Sequence, residues 1–204
     1  MDTKNLDKLS DEKRLKVLNA GILCFSRSGY TKTAISEIAA EAGVSKAAIF
    51  HYFGTKENLY IFLFNYISDE LLAGLMAIIA EGIDDFFECA IAFMQVRLQL
   101  CEKHPRMFEL LRLHAQKTDY EETKKFGAIE NEKIQKGISM LFAKVDWSRF
   151  QDCYDRNTIS NLASWIETGC LAELDKTMTI EEVHTEMKRY LQIMKKAVYK
   201  PGFQ

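Results

Sequence analysis

Residues 33–59 (TAISEIAAEAGVSKAAIFHYFGTKENL) constrain the fold more than any other stretch, because they predict two short helices joined by a tight turn. The apolar residues of the first helix follow helical spacing and are Ile35, Ile38, Ala39 and Ala42. Gly43 follows them, at a corner where positive φ is often needed and only glycine adopts it without steric cost. Ser45 then provides a favourable N-cap for the second helix.

Three residues, Ala39, Gly43 and Ile49, are spaced as a helix-turn-helix requires. The small side chain of Ala39 lets the helices cross closely, Gly43 makes the corner and Ile49 fixes the crossing. Such a unit places its second helix in the major groove of DNA. The first turn of that helix, residues 46–48 (KAA), combines small side chains, a lysine for base edges or phosphate, and free N–H groups that favour an anion.

The alternative for this segment is a plain helical hairpin in the core of a bundle, and three spaced residues alone do not exclude it. Here the pattern continues through the turn, the N-cap, the aromatic run FHYF at residues 50–53 and Lys56. This longer agreement favours DNA binding over the hairpin.

The composition of the chain indicates an ordinary soluble protein. It has 204 residues, 48% hydrophobic and 27% charged, and only two prolines and ten glycines, which favours an all-α fold. No uninterrupted apolar run of transmembrane length and no signal peptide are evident, so we expect a cytoplasmic protein without a membrane partner. The net charge is −2, with +2 over residues 1–60, so charge alone argues only weakly for a nucleic-acid partner.

The cysteines form no C-x-x-C motif, and their number is odd: Cys24, Cys89, Cys101, Cys153 and Cys170. In a reducing compartment they are most simply buried thiols. The alternative is that one of them senses redox state, which measurements of thiol accessibility and pKa would decide.

The residues around the central segment predict further helices. Ser10 is expected to cap a first helix and Gly29 to end it, which completes a three-helix unit. Thr33 is expected to cap the second helix and to offer its hydroxyl to a phosphate. Thr55 is expected to cap a fourth helix, with Lys56 in the first turn, where helix dipole and ammonium together suit a phosphate.

The remaining chain continues in helical period. The fourth helix runs to about Gly82, the pattern resumes at Asp84, and Pro105 suits the first position of a sixth helix. Later helices are predicted over about residues 120–145, 155–175 and 180–198. The sequence therefore predicts an all-α fold of about nine helices. We divide it into an N-terminal three-helix helix-turn-helix domain (residues 1–55) and a C-terminal helical ligand-binding and dimerisation domain (residues 56–204).

The last two predicted helices carry apolar and small residues that permit close helix contact. They could complete the core of their own domain or form a four-helix seam between two copies. A DNA reader of this type gains from a two-fold dimer, since two recognition helices then meet successive major-groove faces. We therefore favour a homodimer through the last two helices.

The segment GVSKAAIFHYFGTKENL, preceded by GYTKTAISEIAAEA, resembles the TetR family of transcriptional regulators. The family pattern is close to T-x-x-x-I-A-x-x-A-G-V-S-x-G-x-x-Y-x-H-F-x-S-K-x-x-L, and the resemblance is specific across about residues 10–60. It implies an Ω-shaped homodimer, binding of double-stranded operator DNA by the N-terminal domain, and a small-molecule effector in a C-terminal pocket. Most members are repressors that their ligand releases from the operator.

By position, the resemblance implies that eight residues face DNA: Thr33, Ser45, Lys46, Ala47, Phe50, His51, Tyr52 and Lys56. Three of these positions depart from the family pattern. Ala47 replaces the usual glycine, so the backbone stands slightly further from the groove. Phe50 replaces the usual tyrosine and lacks its hydroxyl, whereas Tyr52 replaces the usual histidine and can restore a hydroxyl nearby. These departures leave the operator sequence open.

The sequence indicates an effector pocket less clearly than it indicates the helix-turn-helix. Phe86, Phe93 and Arg97 share a stripe beside the core stripe of the fifth helix, and Asn161 and Trp165 share a flank of a later one. An apolar pocket with a few polar anchors could be built from them, with Arg97 suited to an anionic group. The alternative is that the aromatic residues fill the core and Arg97 extends to water.

Two other classes of function are the alternatives to a DNA-binding regulator. A di-iron enzyme in a helical bundle needs paired E-x-x-H motifs, but Glu181-x-x-His184 occurs once. Nucleophile-elbow, Walker and Rossmann motifs are not found either, so we expect no catalytic residue, no metal and no cofactor. The second alternative is a helical adaptor that binds only protein, and a DNA-binding assay separates it from a regulator.

Overall fold

The computed structural model describes residues 10–110, 132–173 and 177–204, which contain helices and no β-strand. The helices are α1 (Asp11–Lys32), α2 (Ile35–Ala42), α3 (Lys46–Phe53), α4 (Lys56–Glu81), α5 (Phe86–Lys103), α6 (Arg156–Ala172) and α7 (Ile180–Val198). Residues 107–110 and 132–142 are also helical, and Trp147–Arg149 form a 3-10 helix. The predicted all-α fold is confirmed.

The described residues divide into two compact units. The first contains residues 10–70, 100–110 and 132–134, and the second contains residues 71–99, 135–173 and 177–204. Helices α4 and α5 contribute residues to both units, because the divisions after residues 70 and 99 fall inside them. The first unit includes the whole predicted helix-turn-helix. A domain boundary between residues 55 and 56 stays a prediction.

Helix α1 begins as predicted and is interrupted where the sequence predicts its end. Ser10 Oγ accepts a hydrogen bond from the Lys13 N–H at 3.4 Å, which satisfies one of the unpaired donors of the first turn. Gly29 has φ 74° and ψ 172°, so the helical conformation breaks there before the chain reaches Lys32. The residues of α1 that enter the core are Val17, Leu18, Ala20, Ile22 and Phe25.

Helix α4, with 26 residues, begins after the predicted N-cap Thr55, whose Oγ1 accepts a hydrogen bond from the Asn58 N–H at 3.0 Å. By length and composition it is the one described helix that could cross a membrane, which is weak evidence for a span. Its buried apolar residues recur at helical spacing and include Leu59, Leu63, Ile67, Leu71 and Leu75. This stripe packs inside the protein, and 39% of the apolar 18-residue window of α4 is buried.

The second unit is built around an aromatic cluster. Phe86 is 2% exposed, and its ring centroid lies 5.2 to 5.8 Å from the rings of Phe87, Phe142, Trp147 and Phe150. Edge-to-face and tilted contacts of this kind stabilise a core beyond the area they bury. The cluster fixes the start of α5 against the segment that follows residue 142.

Two element boundaries differ from the sequence prediction. Helix α5 begins at Phe86 because the Asp85 carboxylate caps it, accepting from the N–H groups of Phe87 at 2.9 Å and Glu88 at 3.1 Å. Pro105 does not start a helix: Arg106 adopts φ 67°, in the left-handed region, so helical residues begin only at 107. The helix predicted over about residues 120–145 lies partly outside the described residues, and its described part is helical over 132–142.

Candidate nucleic-acid interface

Helix α2 is held in the first unit by one apolar face, as the sequence predicts. Its buried residues are Ile35, Ile38, Ala39 and Ala42, each 7% exposed or less. The Glu37 carboxylate accepts a hydrogen bond from the Ala34 N–H at 3.0 Å and so closes the first turn. The N-cap is Ala34 rather than Thr33, which corrects the prediction that Thr33 caps this helix.

The turn after α2 has the predicted geometry. Gly43 adopts φ 65° and ψ 32°, and no heavy atom lies within 4 Å of the place where a Cβ would stand. The Gly43 N–H donates to the Ala40 carbonyl at 3.2 Å, and the Val44 N–H donates to the Ala39 carbonyl at 3.0 Å. Glycine is therefore required here by the left-handed backbone and not by crowding.

Helix α3 begins at the predicted cap and is anchored by two buried residues. Ser45 Oγ accepts a hydrogen bond from the Ala48 N–H at 3.0 Å. Ile49 and Phe53 are 1% and 3% exposed and fix the helix against the first unit. At the other end, the Asn58 side-chain amide donates to the Phe53 carbonyl at 2.9 Å, so a residue of α4 caps α3. No local sequence pattern predicts this role of Asn58.

The opposite side of α3 is open to solvent and forms what we call the recognition face: Ser45, Lys46, Ala47, Phe50 and His51, all exposed. Phe50 is 41% exposed, so its ring is available to a partner. The Lys46 ammonium lies 5.8 Å from the centroid of the Phe50 ring, close enough for a cation–π contact. As at the start of any helix, the first N–H groups of α3 lack acceptors within the helix, and together with the helix dipole they favour an anion.

Tyr52 stands at the edge of the recognition face. It is half-buried, and its ring centroid lies 5.1 Å from that of His51 in an edge-to-face arrangement. Six of the eight residues implied by the family resemblance are thus exposed or half-exposed on α3 and its N-cap. Their contact with DNA stays a prediction.

Thr33 is placed differently. The residue is 1% exposed, and its single O–H is shared between two carbonyls of the protein, that of Gly29 at 2.7 Å and that of Cys24 at 3.1 Å. A phosphate outside the protein cannot reach this hydroxyl in the present conformation. The predicted phosphate contact therefore does not fit the structure, because the hydroxyl satisfies the end of α1 instead.

The Lys56 side chain also forms hydrogen bonds within the first unit. Its ammonium donates to the carbonyls of Tyr30 at 2.9 Å, Thr31 at 3.2 Å and Thr33 at 3.2 Å. It also lies 4.5 Å from the centroid of the Tyr30 ring. The side chain is half-buried, at the start of α4, as the sequence places it.

The five predicted effector residues are not brought together by the described contacts. Phe86 fills the aromatic core, Asn161 is exposed, and Trp165 is 67% exposed. Arg97 donates from Nη1 to Glu167 Oε1 and stands 6.0 Å from the Phe93 ring centroid. The charge of Arg97 is therefore already paired, which weakens the argument for an anionic effector there. The assignment of these residues stays a prediction.

A surface groove of about 700 Å³ lies in the first unit, beside α1, α2 and Pro105. Its charged lining residues are Glu12, Lys13, Lys16 and Glu41, and none of the predicted effector residues borders it. Within the described ranges, no group of three or more His, Cys, Asp or Glu side chains is arranged to hold a metal ion. Burial raises the pKa of the Cys89 thiol to about 11, so this cysteine is a poor nucleophile at neutral pH.

Sequence comparisons agree with this geometry. Residues 17–61, which contain α2, α3 and the start of α4, match the family described as "Bacterial regulatory proteins, tetR family". The HTH-type transcriptional regulator RutR of Escherichia coli is 27% identical over 178 residues, which cover 87% of this chain and 73% of RutR. The nucleoid occlusion factor SlmA of Shewanella denitrificans is 32% identical over 111 residues, which cover 54% of this chain. This match spans only half (50%) of the length of SlmA.

Solved structures share the fold over nearly the whole chain. The ketosteroid transcriptional regulator KstR2 of Mycobacterium tuberculosis superposes with a TM-score of 0.72 at 15% identity, covering 94% of this chain and 97% of KstR2. SmeT, the repressor of the Stenotrophomonas maltophilia multidrug efflux pump SmeDEF, gives a TM-score of 0.66 at 14% identity, covering 97% and 95%. At such low identity these similarities establish the fold and leave ligands and targets open.

Proposed function

Because the chain belongs to the TetR family of bacterial regulatory proteins, we propose that it regulates transcription by inserting α3 into the major groove of operator DNA. The observation that carries this proposal is the recognition face. It combines a capped helix start, a cation and an exposed aromatic ring on a helix whose other side is anchored by Ile49 and Phe53. Small side chains at its first turn permit close approach to base edges.

A binding titration tests the proposal directly. Fluorescently labelled fragments of the DNA flanking the coding sequence are titrated with the protein at low salt, and fluorescence anisotropy reports binding. We expect one fragment to bind at least a thousandfold more tightly than bulk DNA of random sequence. Uniform weak binding would contradict operator recognition, and no binding to any fragment would favour the protein-binding adaptor.

The regulator is proposed to act as a homodimer through α6 and α7. Each of these helices carries an exposed apolar stripe beside its buried one. On α6 the stripe contains Leu162 (37% exposed), Trp165 (67%) and the exposed Gly169, and on α7 it contains Tyr190 (40%) and Ile193 (54%). These residues are three or four positions apart, so each set lies on one helix face. Exposed apolar stripes of this extent on two neighbouring helices support a second copy as their partner.

A small-molecule effector is proposed to control DNA binding, most simply by releasing a repressor from its operator. An effector can shift the balance between DNA-binding and released conformations only through its different affinity for the two. Because α4 contributes residues to both compact units, it is the element through which we expect the shift to pass. A cognate ligand, identified by its effect on thermal unfolding, should lower operator affinity at least tenfold; an unchanged affinity would contradict this control.

The protein is proposed to work in the cytoplasm, where operator DNA is accessible, and to have no catalytic activity. Supporting this, the family is a regulatory one.

A further inference from the structure

Two side chains of the recognition face, Ala47 and Phe50, are apolar and exposed, Phe50 at 41%. They lie three positions apart in α3, so they are neighbours on one helix face, with about 5 to 6 Å between their Cβ atoms. Ile49 and Phe53 are 1% and 3% exposed and hold the other side of the helix in the core. We call Ala47 and Phe50 the apolar pair, which is carried on an anchored helix.

The apolar pair lies among groups that suit nucleic acid. Ser45, Lys46 and His51 are exposed around it, and the Lys46 ammonium lies 5.8 Å from the centroid of the Phe50 ring. Most of what DNA presents to a protein is polar, namely phosphates and the hydrogen-bonding edges of bases. The C5-methyl group of thymine is the apolar group in the major groove, and alanine and phenylalanine are among the side chains that contact it.

A phosphate is a poor partner for the same pair. The Phe50 ring has no hydrogen-bonding group, so packing it on a phosphate would remove water from a charge without replacing the lost hydrogen bonds. Packing it on a methyl group removes apolar surface of both partners from water, which is favourable. Both departures from the family pattern act in this direction, because Ala47 adds a methyl group where glycine is usual and Phe50 lacks the hydroxyl of tyrosine.

We propose that Ala47 and Phe50 form a cleft for the C5-methyl group of one thymine in each half-site of the operator. The proposal rests on the proposed DNA-binding function and adds the identity of one base to it. The two side chains are close enough to enclose a single methyl group between them. The hydrogen-bonding side chains beside them then read or hold the neighbouring positions.

Replacing thymine by deoxyuridine tests the proposal, because it removes the methyl group and keeps the O4 acceptor and the base pairing. Each thymine of one operator half-site is replaced in turn, and fluorescence anisotropy measures the affinity of the wild type. We expect the replacement at one position to weaken binding about fourfold, the value of one buried methyl group. The remaining positions should change little.

Variants of the apolar pair assign the effect to its residues. Phe50→Ala should bind the thymine and deoxyuridine operators equally, and Ala47→Gly should reduce the difference between them. Phe50→Tyr keeps the ring and should keep the difference. Phe203→Ala, at a phenylalanine that is 49% exposed outside the recognition face, is the matched control and should behave like the wild type. Each comparison is made within one variant, so a general loss of stability affects both operators alike.

Three outcomes would overturn the inference, and they can be told apart. If the wild type binds its operator and no thymine position responds to loss of the methyl group, the inference is wrong and the proposed function stands. If the response persists undiminished in Phe50→Ala and Ala47→Gly, another side chain contacts the methyl group. If no DNA fragment binds the wild type, the proposed function fails and this inference fails with it.

Discussion

At the residue scale, the clearest distinction is between side chains that point to solvent and those that satisfy the backbone. Lys46 and Lys56 both lie near a helix start, and the family resemblance predicts that both contact DNA. The structure leaves the Lys46 side chain exposed on the recognition face, while Lys56 donates to three carbonyls. Two residues of the same type near helix starts therefore differ in their partners within the protein.

Lys46→Ala tests whether the exposed lysine reads a base. If it does, we expect a loss of about 1 to 3 kcal/mol in operator binding, together with relaxed preference at one base pair. Binding selections from randomised operators, compared between the variant and the wild type, measure both effects. A loss that is uniform across sequences and lowers the salt slope would mean that Lys46 holds a phosphate instead.

His104 should make stability depend on pH. It is 0% exposed, its Nδ1 lies 2.7 Å from Asn19 Oδ1, and its Nε2 lies 3.1 Å from the Tyr66 hydroxyl. Burial, aided by the Lys103 ammonium and opposed by the Glu70 carboxylate, lowers the pKa of His104 to about 4, from 6.5. The neutral ring suits this site, because it can donate from Nδ1 and accept at Nε2.

The direction of this pH dependence follows from the number of protons that the folded and unfolded states bind. Between pH 6.5 and about 4 the unfolded chain binds a proton at His104 that the folded protein excludes, so the free energy of unfolding falls as pH falls. The loss over this range is about 3 kcal/mol from this residue. Urea denaturation at pH 7 and pH 5 should show a smaller pH effect in His104→Gln than in the wild type. An equal pH effect in the two proteins would exclude His104 as its source.

At the scale of elements, the helix-turn-helix depends on one backbone conformation and one cap. The turn requires a left-handed backbone at Gly43, and the Ser45 hydroxyl caps α3 by accepting a hydrogen bond from the Ala48 N–H. Because neither requirement involves distant residues, both could be derived from the sequence alone. The same locality makes the turn easy to test without disturbing the core.

Gly43→Val should destabilise the protein by about 2 kcal/mol, since a β-branched residue is strained at φ 65°. Gly43→Asn is the matched control: asparagine tolerates this region, and no heavy atom lies within 4 Å of the new Cβ, so the cost should stay below about 1 kcal/mol. Chemical denaturation of both variants measures the difference. Equal losses would show that the strain of a β-branched residue in the left-handed region does not select glycine here.

At the scale of the whole molecule, the proposed dimer rests on the exposed stripes of α6 and α7. A chain that worked alone would leave Trp165 and Ile193 in water, at 67% and 54% exposure. Two copies would bury them and present two recognition faces to one operator, with half-sites about 34 to 36 Å apart.

The double variant Trp165→Glu, Ile193→Glu should be a folded monomer, because it places charges in the proposed seam. Leu15→Glu, at a residue that is 38% exposed on α1, is the control and should remain dimeric. Sedimentation velocity measures the oligomeric state, and operator titration should show a loss of at least a hundredfold for the monomer. A wild-type protein that sediments as a monomer at micromolar concentration would contradict the dimer.

The sequence by itself determined the elements whose signals are local. Helical period, the caps Ser10, Ser45 and Thr55, and the corner at Gly43 all depend on residues within a few positions of one another. These signals also determined the exposed face of α3. The start of the helix after Pro105 was predicted wrongly, because the left-handed conformation of Arg106 leaves no mark in the local pattern.

Only the tertiary structure decided which partner each side chain meets. The helical pattern of the sequence places Thr33 and Lys56 near helix starts. In the structure their side chains donate to carbonyls up to 26 residues away along the chain. In the same way, the sequence groups Phe86 with Trp165 as aromatic residues, whereas packing buries the first and exposes the second. The physical reason is that spacing along a helix fixes direction relative to its axis, while hydrogen-bond partners and burial depend on which segments the fold brings alongside.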